Sequence, residues 1–215
     1  VVSVVIGISG ASASGKTLLA ETIGKEFSAQ DVVVISEDDY YKDQSHLPLA
    51  ARAQINYDHP DAIDYKLLLN HITLLRHNIA VDTPVYDYGN HTRSDKTLHV
   101  QPSSILILEG ILLFNEKVMR DLMDIRVFVD APLDLCITRR IKRDILERNR
   151  AIEYVIKQYQ ETTRPMFLKY IEPSKKYADI IVPRGGKNRV AVDLIKSKIR
   201  DVLQLKKQKE LISSV

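Results

Sequence analysis

Five short apolar runs are spaced along the chain, at residues 1–8, 32–35, 104–108, 125–129 and 178–182. Each is rich in β-branched residues and too short for a helix, and the segments between them carry apolar residues at helical spacing. That pattern predicts an α/β fold, a parallel sheet covered by helices on both faces. Helices are expected near 16–28, 64–76, 115–122, 132–148, 151–171 and 189–206, with Asp64, Asn115 and Pro132 as start signals. One stretch departs from the alternation. Residues 80–88 and 94–100 alternate with period two around Gly89-Asn90, which predicts a β-hairpin insert over about 80–100. The Lys/Gln/Glu-rich tail from Lys206 reads as a frayed helix end.

Composition narrows the possibilities. With 215 residues, 45% hydrophobic and 27% charged, and no Pro/Gly-rich linker, residues 1–215 are expected to form a single domain. The net charge is +3 and basic residues are interleaved with acidic ones, so bulk electrostatics calls for neither a nucleic-acid nor a membrane partner. The lone Cys136 excludes an internal disulfide and a cysteine-based zinc site, and the six histidines form no H-E-x-x-H arrangement. A reducing, cytoplasmic setting fits. No apolar run approaches the roughly 20 residues of a membrane span, and the first run breaks at Gly7, so it is expected to be a core strand.

The first run leads into Gly10-Ala11-Ser12-Ala13-Ser14-Gly15-Lys16-Thr17, a complete G-x-x-x-x-G-K-[ST] pattern. A strand feeding a glycine-rich turn, with a helix opening behind it, directs backbone N–H groups and the positive helix end at phosphate oxygens. Lys16 is then placed for the β and γ phosphates of a nucleotide, and Thr17 for Mg²⁺. The competing reading is a plain Gly/Ser turn.

In an open parallel sheet ligands gather beyond the carboxyl ends of the strands. Three such ends carry carboxylates: Ser36-Glu37-Asp38-Asp39-Tyr40-Tyr41, Glu109-Gly110 and Asp130. Phosphoryl transfer needs one carboxylate to deprotonate an acceptor hydroxyl and another in the metal shell beside Thr17, and Asp38 and Glu109 are the candidates. Asp38 or Asp39 as a helix cap, and Glu109 as an incidental strand-end charge, are the alternatives. A basic cluster, Arg139-Arg140-Ile141-Lys142-Arg143-Asp144, continues to Arg148-Asn149-Arg150. Arginines closing over a γ-phosphate neutralise charge that spreads in the transition state. They could equally form a solvated helix face paired with Asp134, Asp144 and Glu147. RNA binding lacks the expected interleaved aromatics. Residues 55–64 and the hairpin turn Tyr86-Asp87-Tyr88-Gly89-Asn90-His91-Thr92-Arg93 set aromatic rings beside carboxylates and a histidine, which suits a planar base on a sugar.

Taken together, these residues resemble the uridine kinase family, the uridine-cytidine kinases of pyrimidine salvage, within the phosphoribulokinase and pantothenate kinase group of P-loop kinases. The resemblance rests on the 36–41 turn, Tyr57-Asp58-His59-Pro60-Asp61-Ala62, Pro84-Val85-Tyr86-Asp87-Tyr88 with His91 and Arg93, Leu108-Glu109-Gly110-Ile111-Leu112, the arginines from Arg139 to Arg150, and Tyr177-Ala178-Asp179 with Pro183-Arg184-Gly185. It implies transfer of the γ-phosphate of ATP, or GTP, to the 5′-hydroxyl of uridine or cytidine, with Mg²⁺. Asp38 is implied as general base, and Asp58 and Arg150 as partners of the ribose hydroxyls. Tyr86 and His91 would read the pyrimidine edge, walled by Tyr41, Tyr57, Tyr88 and Ile111. Arg140, Arg143 and Arg148 would belong to a lid over about 139–165, with Gln158 and Tyr159 on the nucleoside. Thr17 and Glu109, with Asp38, would complete the metal shell, and Arg184-Gly185-Gly186 would lie beside the adenine.

The family commonly has glycine where Ala11 stands, so this loop must keep that residue at negative φ. Aromatic positions that are often Phe are Tyr at 40, 57 and 88. Family likeness also suggests a homotetramer. The rival readings are a phosphoribulokinase-like small-alcohol kinase, which the aromatic hairpin disfavours, and a noncatalytic nucleotide-binding regulator, for which the guanine-reading N-K-x-D segment is missing.

Overall fold

A computed structural model describes residues 3–213, with 209–213 as backbone only. In chain order, β1 (Val4–Gly10) leads into α1 (Lys16–Gly24), followed by β2 (Val32–Ser36), a short α2 (Leu49–Arg52) and α3 (Tyr65–Arg76). A hairpin of β3 (Val81–Asp87) and β4 (Thr92–Val100) precedes β5 (Ile105–Gly110), α4 (Lys117–Leu122), β6 (Ile125–Asp130), α5 (Leu133–Arg148) and α6 (Ile152–Gln158). The chain closes with β7 (Ile180–Pro183) and a helix over Arg189–Ser213.

Five strands form one sheet in the order β2-β5-β1-β6-β7, every neighbouring pair parallel. The period of two sorts its side chains onto two faces. Val5, Leu106, Leu108 and Phe128 pack with Leu68, Ile72 and Leu75 of α3, whereas Ile6, Ile8, Ile105, Ile107, Val127 and Val129 pack with Leu19 and Ile23 of α1 and with Ile195 and Ile199 of the last helix. Both faces are dry, which is why the runs are continuously apolar rather than alternating. Each of these side chains contributes about 1.5–3 kcal/mol by leaving water.

The expected start signals divide. Asp64 caps α3, its Oδ1 accepting the Leu67 N–H at 3.1 Å, and Pro132 precedes α5. Asn115 does not start α4; Glu116 stands at that position, and the Asn115 side chain donates to the Leu112 carbonyl instead. Helix α1 ends at Gly24, short of residue 28. The expected helix over 151–171 is longer and irregular: π-helical turns at Tyr159–Thr163 and Phe167–Ile171 precede Pro165 and Pro173, and a helical path continues to Lys175–Tyr177. Each proline removes an N–H and crowds the preceding turn, and a widened turn relieves both. The last helix runs on to Ser213 rather than fraying from Lys206.

The hairpin is present, with a register shift between Pro84 and Tyr86. Pro84 has no ladder donor, and the irregularity there re-aims the strand. Asp87 Oδ1 accepts the Gly89 and Asn90 N–H groups and so fixes the turn that presents Tyr88 and His91. Among the described residues no helix is long and apolar enough to cross a membrane.

Candidate active site

The loop after β1 is built from three left-handed or extended-positive positions, Gly10 (φ 151°), Ala13 (φ 61°) and Gly15 (φ 99°). A Cβ on Gly10 would lie 2.5 Å from the Val129 carbonyl oxygen, so the close approach to β6 demands glycine. The positive φ falls on Ala13 and not on Ala11, which accommodates the alanine at 11. The Ser14 hydroxyl is buried inside the loop without a partner. Lys16 is only 6% exposed and its Nζ is 4.0 Å from Glu109 Oε2.

Glu109 ends β5 directly beside β1. Thr17 Oγ1 donates to its Oε2 at 3.1 Å and Ser36 Oγ to its Oε1 at 2.8 Å. Burial raises the Glu109 carboxyl above the usual range, and the Lys16 ammonium opposes that rise. One strand over, Glu37-Asp38-Asp39-Tyr40 forms a single 3₁₀ turn. Glu37 turns inward, where Oε2 accepts the Leu112 N–H at 2.8 Å and burial pushes its pKa up to about 8. Asp39 ties the turn to the hairpin by accepting the Tyr86 N–H at 3.1 Å, and burial pushes it up to about 6. Asp38 faces the cleft and accepts from the Tyr88 hydroxyl at 3.0 Å.

The arginines of α5 do not form a solvated face. Asp144 is fully buried and collects Arg143 at 2.8 Å, Arg150 at 3.2 Å, Arg148 at 3.5 Å and Arg140 at 3.8 Å. Burial raises the Asp144 pKa, but Arg143, Arg148 and Arg140 outweigh it and hold the carboxyl below its ordinary range. Arg140 also donates to Ser12 Oγ and to Gln158 Oε1, both at 2.9 Å, and so links the phosphate loop to α6. Asp58, 5% exposed, accepts from Thr163 Oγ1 at 2.9 Å and lies 3.9 Å from Arg140.

At the far end the rings converge. Tyr57 stacks on His91 at 5.7 Å, and Tyr41, Tyr86 and Tyr88 meet edge to face or tilted at 5.0–5.2 Å. The Tyr86 hydroxyl is buried without a partner. Burial, with the nearby Arg150 and Arg148 charges, lowers the His91 pKa.

One cleft of about 470 Å³ joins these groups, from Ser12, Ala13, Gly15, Lys16 and Thr17 through Asp38 and Glu109 to Tyr41, Tyr57, Asp58, Tyr86, Tyr88, His91 and Ile111, roofed by Arg140, Arg143, Arg148, Arg150 and Gln158. Gly10, Ala11 and Ser14 of the same loop are not among the lining residues. Ser36, Arg139 and Glu147 also line the cleft. Ser36 belongs to the strand-end segment and Arg139 to the basic cluster that the sequence singles out, though neither has an assigned role there, and that Glu147 faces the cleft depends on helix phase.

Tyr159 is not brought to the cleft. It borders a small hollow beside Ala11 and Cys136, because successive helix positions are turned by about 100° and Gln158 takes the cleft side. Arg184 also lies outside the cleft lining, and the surroundings of Gly185 fall outside what the structure describes. Their turn packs against the start of α1, where a Cβ on Gly186 would sit 2.5 Å from the Gly15 carbonyl oxygen. Among the described residues no three His, Cys, Asp or Glu side chains form a metal cluster.

The model of the Phosphoribulokinase / Uridine kinase family matches residues 5–191. A protein named Uridine kinase from Tolumonas auensis is 54% identical over 204 residues, 93% of this chain and 95% of its own length. The Uridine kinase of Escherichia coli (strain K12) is 56% identical over 200 residues, 91% of this chain and 94% of its own. Among solved structures, a possible uridine kinase from Bacillus stearothermophilus superposes with a TM-score of 0.56 at 22% identity, covering 85% of this chain and 89% of that one. Phosphoribulokinase from Rhodobacter spheroides superposes at 0.60 with 19% identity, covering 84% and 70%. These two likenesses concern the fold.

Proposed function

The chain belongs to the phosphoribulokinase/uridine kinase family, and from that premise we propose that it transfers the γ-phosphoryl group of ATP, or GTP, to the 5′-hydroxyl of uridine or cytidine, giving UMP or CMP. The observation that carries this reading is the single cleft that holds Lys16 and the phosphate loop at one end, Asp38 at its middle and the Tyr57–His91 stack at the other. In line, the acceptor oxygen forms a bond to the γ-phosphorus as the bond to the bridging oxygen breaks. The hydroxyl proton passes to Asp38, and the nucleoside diphosphate leaves.

The loop amides and Lys16 bind the phosphate chain, and Arg140, Arg143 and Arg148 meet the charge that develops on the transferred group. Asp58 and Arg150 hold the ribose 2′- and 3′-hydroxyls, Gln158 approaches from α6, and Tyr86 and His91 read the pyrimidine edge between Tyr41, Tyr57, Tyr88 and Ile111. The unpartnered Tyr86 hydroxyl suits such a contact. His91, with its lowered pKa, presents a neutral ring. The Arg184-Gly185 turn is assigned to the adenine side.

The donor set fits Mg²⁺: the Thr17 hydroxyl and a Glu109 carboxylate oxygen lie 3.1 Å apart, Asp38 lines the same cleft, and Mg²⁺ commonly takes one or two carboxylates and fills its shell with waters and phosphate oxygens. When bound it supplies neutralisation of the β- and γ-phosphate oxygens. The same reading extends to a cytoplasmic homo-oligomer, a tetramer by family likeness, which sedimentation tests.

Purified protein with Mg·ATP and a panel of acceptors should convert uridine or cytidine and leave ribulose 5-phosphate untouched. Asp38→Asn should lower kcat by about 10²–10⁴-fold while nucleotide binding persists. Intact turnover in that variant removes Asp38 from its role, and preference for the sugar phosphate overturns the substrate assignment.

A further inference from the structure

Tyr88 makes three contacts that a pocket wall does not need. Its hydroxyl donates to Asp38 Oδ2 at 3.0 Å, its ring packs edge-on against Tyr86 at 5.2 Å, and the Arg148 guanidinium lies 3.8 Å over its face. Arg148 comes from the last turn of α5 and is held by Asp144 at 3.5 Å. One side chain of the hairpin turn therefore touches the proposed base and the arginine cluster at once. We propose that Tyr88 is a positioning residue that fixes the Asp38 carboxylate through its hydroxyl and couples that orientation to Arg148 through its ring. This rests on the phosphoryl-transfer reading above and deepens it.

The geometry has a direct consequence. A carboxylate on a short side chain rotates about its terminal bond between broad, roughly two-fold orientations. With Oδ2 occupied by a phenol donor, Oδ1 is left to accept the proton of the incoming alcohol. The hairpin is already tied to the acidic turn by the Asp39–Tyr86 backbone contact, so the ring starts from a fixed base. A phenylalanine at 88 would keep the wall, the Tyr86 packing and the Arg148 contact, and would lose only the hydroxyl. The substitution Tyr88→Phe thus isolates the proposed role.

The expected result with the purified protein is a fall in kcat of about tenfold or more, the loss attached to a hydrogen bond with a charged group. KM for uridine should change by less than about twofold, since substrate binding contacts remain. Tyr88→Leu, which also removes the ring, should raise KM for the nucleoside as well. In a double-mutant cycle, Arg148→Gln should cost less in the Tyr88→Phe background than in wild type, because the coupling it carries is already broken. ATP affinity and thermal midpoint of Tyr88→Phe report that the fold is intact.

Unchanged kcat in Tyr88→Phe, or a rise in KM alone, leaves Tyr88 as a wall and overturns the proposal. Strict additivity in the cycle overturns the coupling to Arg148. Wild-type protein that makes no UMP or CMP removes the phosphoryl-transfer reading and this inference together, whereas active wild type with an indifferent Tyr88→Phe removes this inference alone.

Discussion

Replacing Asp144 with asparagine keeps the shape of the side chain and deletes the one buried charge on which Arg140, Arg143, Arg148 and Arg150 converge within 4 Å. Removing one partner of a buried pair costs about 3–5 kcal/mol, because the other is left uncompensated. Here the orphaned partners are four, three of them largely buried, and the amide oxygen can accept only part of what the carboxylate did. The lower end, about 3 kcal/mol, is therefore a conservative figure. For a chain of this length that corresponds to a fall of about 6–12 °C in Tm. If, as proposed, these guanidinium groups meet the nucleotide phosphates, a polyanionic nucleotide re-supplies negative charge to them, so saturating ATP should raise the Tm of Asp144→Asn by more than it raises that of wild type. The acid limb has a sign of its own. The folded pKa of Asp144 lies below its unfolded value near 3.8, so its stabilisation is present above that value and is lost as pH falls through the folded pKa. Asp144→Asn should lack this component of acid unfolding. Scanning calorimetry with and without ATP reads both, and a midpoint within 1–2 °C of wild type, about the span of half a kcal/mol, would refute the argument.

Two further outcomes follow from the acidic turn. A Cβ on Gly110 overlaps the Glu37 side chain, so Gly110→Ala should destabilise by about 1–3 kcal/mol, read as a lower urea midpoint with unchanged slope; an unchanged midpoint contradicts the packing. Burial lifts Glu37 from 4.5 to about 8, opposed by the Leu112 N–H and aided by Asp38, so the fold holds its proton where the unfolded chain releases it. That contribution is complete below pH 4.5 and declines as pH rises towards 8, and Glu37→Gln should flatten the pH dependence of unfolding free energy across that window; an identical slope in both proteins sinks the assignment.

The sheet, the phosphate loop and the hairpin were legible because each leaves a local signature: a β-branched run, a fixed glycine spacing, a change of period to two. Asp38, Ser36 and Glu109 were legible for a topological reason, since they stand at or just beyond the carboxyl ends of β2 and β5, on the side where β1 delivers the loop. What stayed hidden depends on helix phase and packing. Asp144, one acidic residue in an arginine-rich helix, looks the same in sequence whether its face is wet or dry. Tyr159 adjoins Gln158 in sequence but takes another side of the helix. The π-helical turns keep an apolar pattern close to that of an α-helix, and only Pro165 and Pro173 marked the irregularity. At four residues, α2 is too short to generate a period at all.

The buried Asp144 also bears on how the arginines of the cleft are held together. Six cationic side chains and four carboxylates line it, so it carries local positive surplus although the chain as a whole is only +3. Bringing that many guanidinium groups together in partial burial is unfavourable unless an anion lies among them. Asp144 sits behind the cleft surface and supplies that anion from inside the fold, while Arg140, Arg143 and Arg148 line the cleft and Arg140 reaches Ser12 of the loop. Contacts from Asp144 thereby hold the arginines in place from within the fold. Because Arg148 also rests on Tyr88, which donates to Asp38, the same interior charge is linked through contacts to the proposed base. Loss of Asp144 should accordingly depress kcat as well as Tm, and the depression in kcat should be smaller when Tyr88 is already phenylalanine.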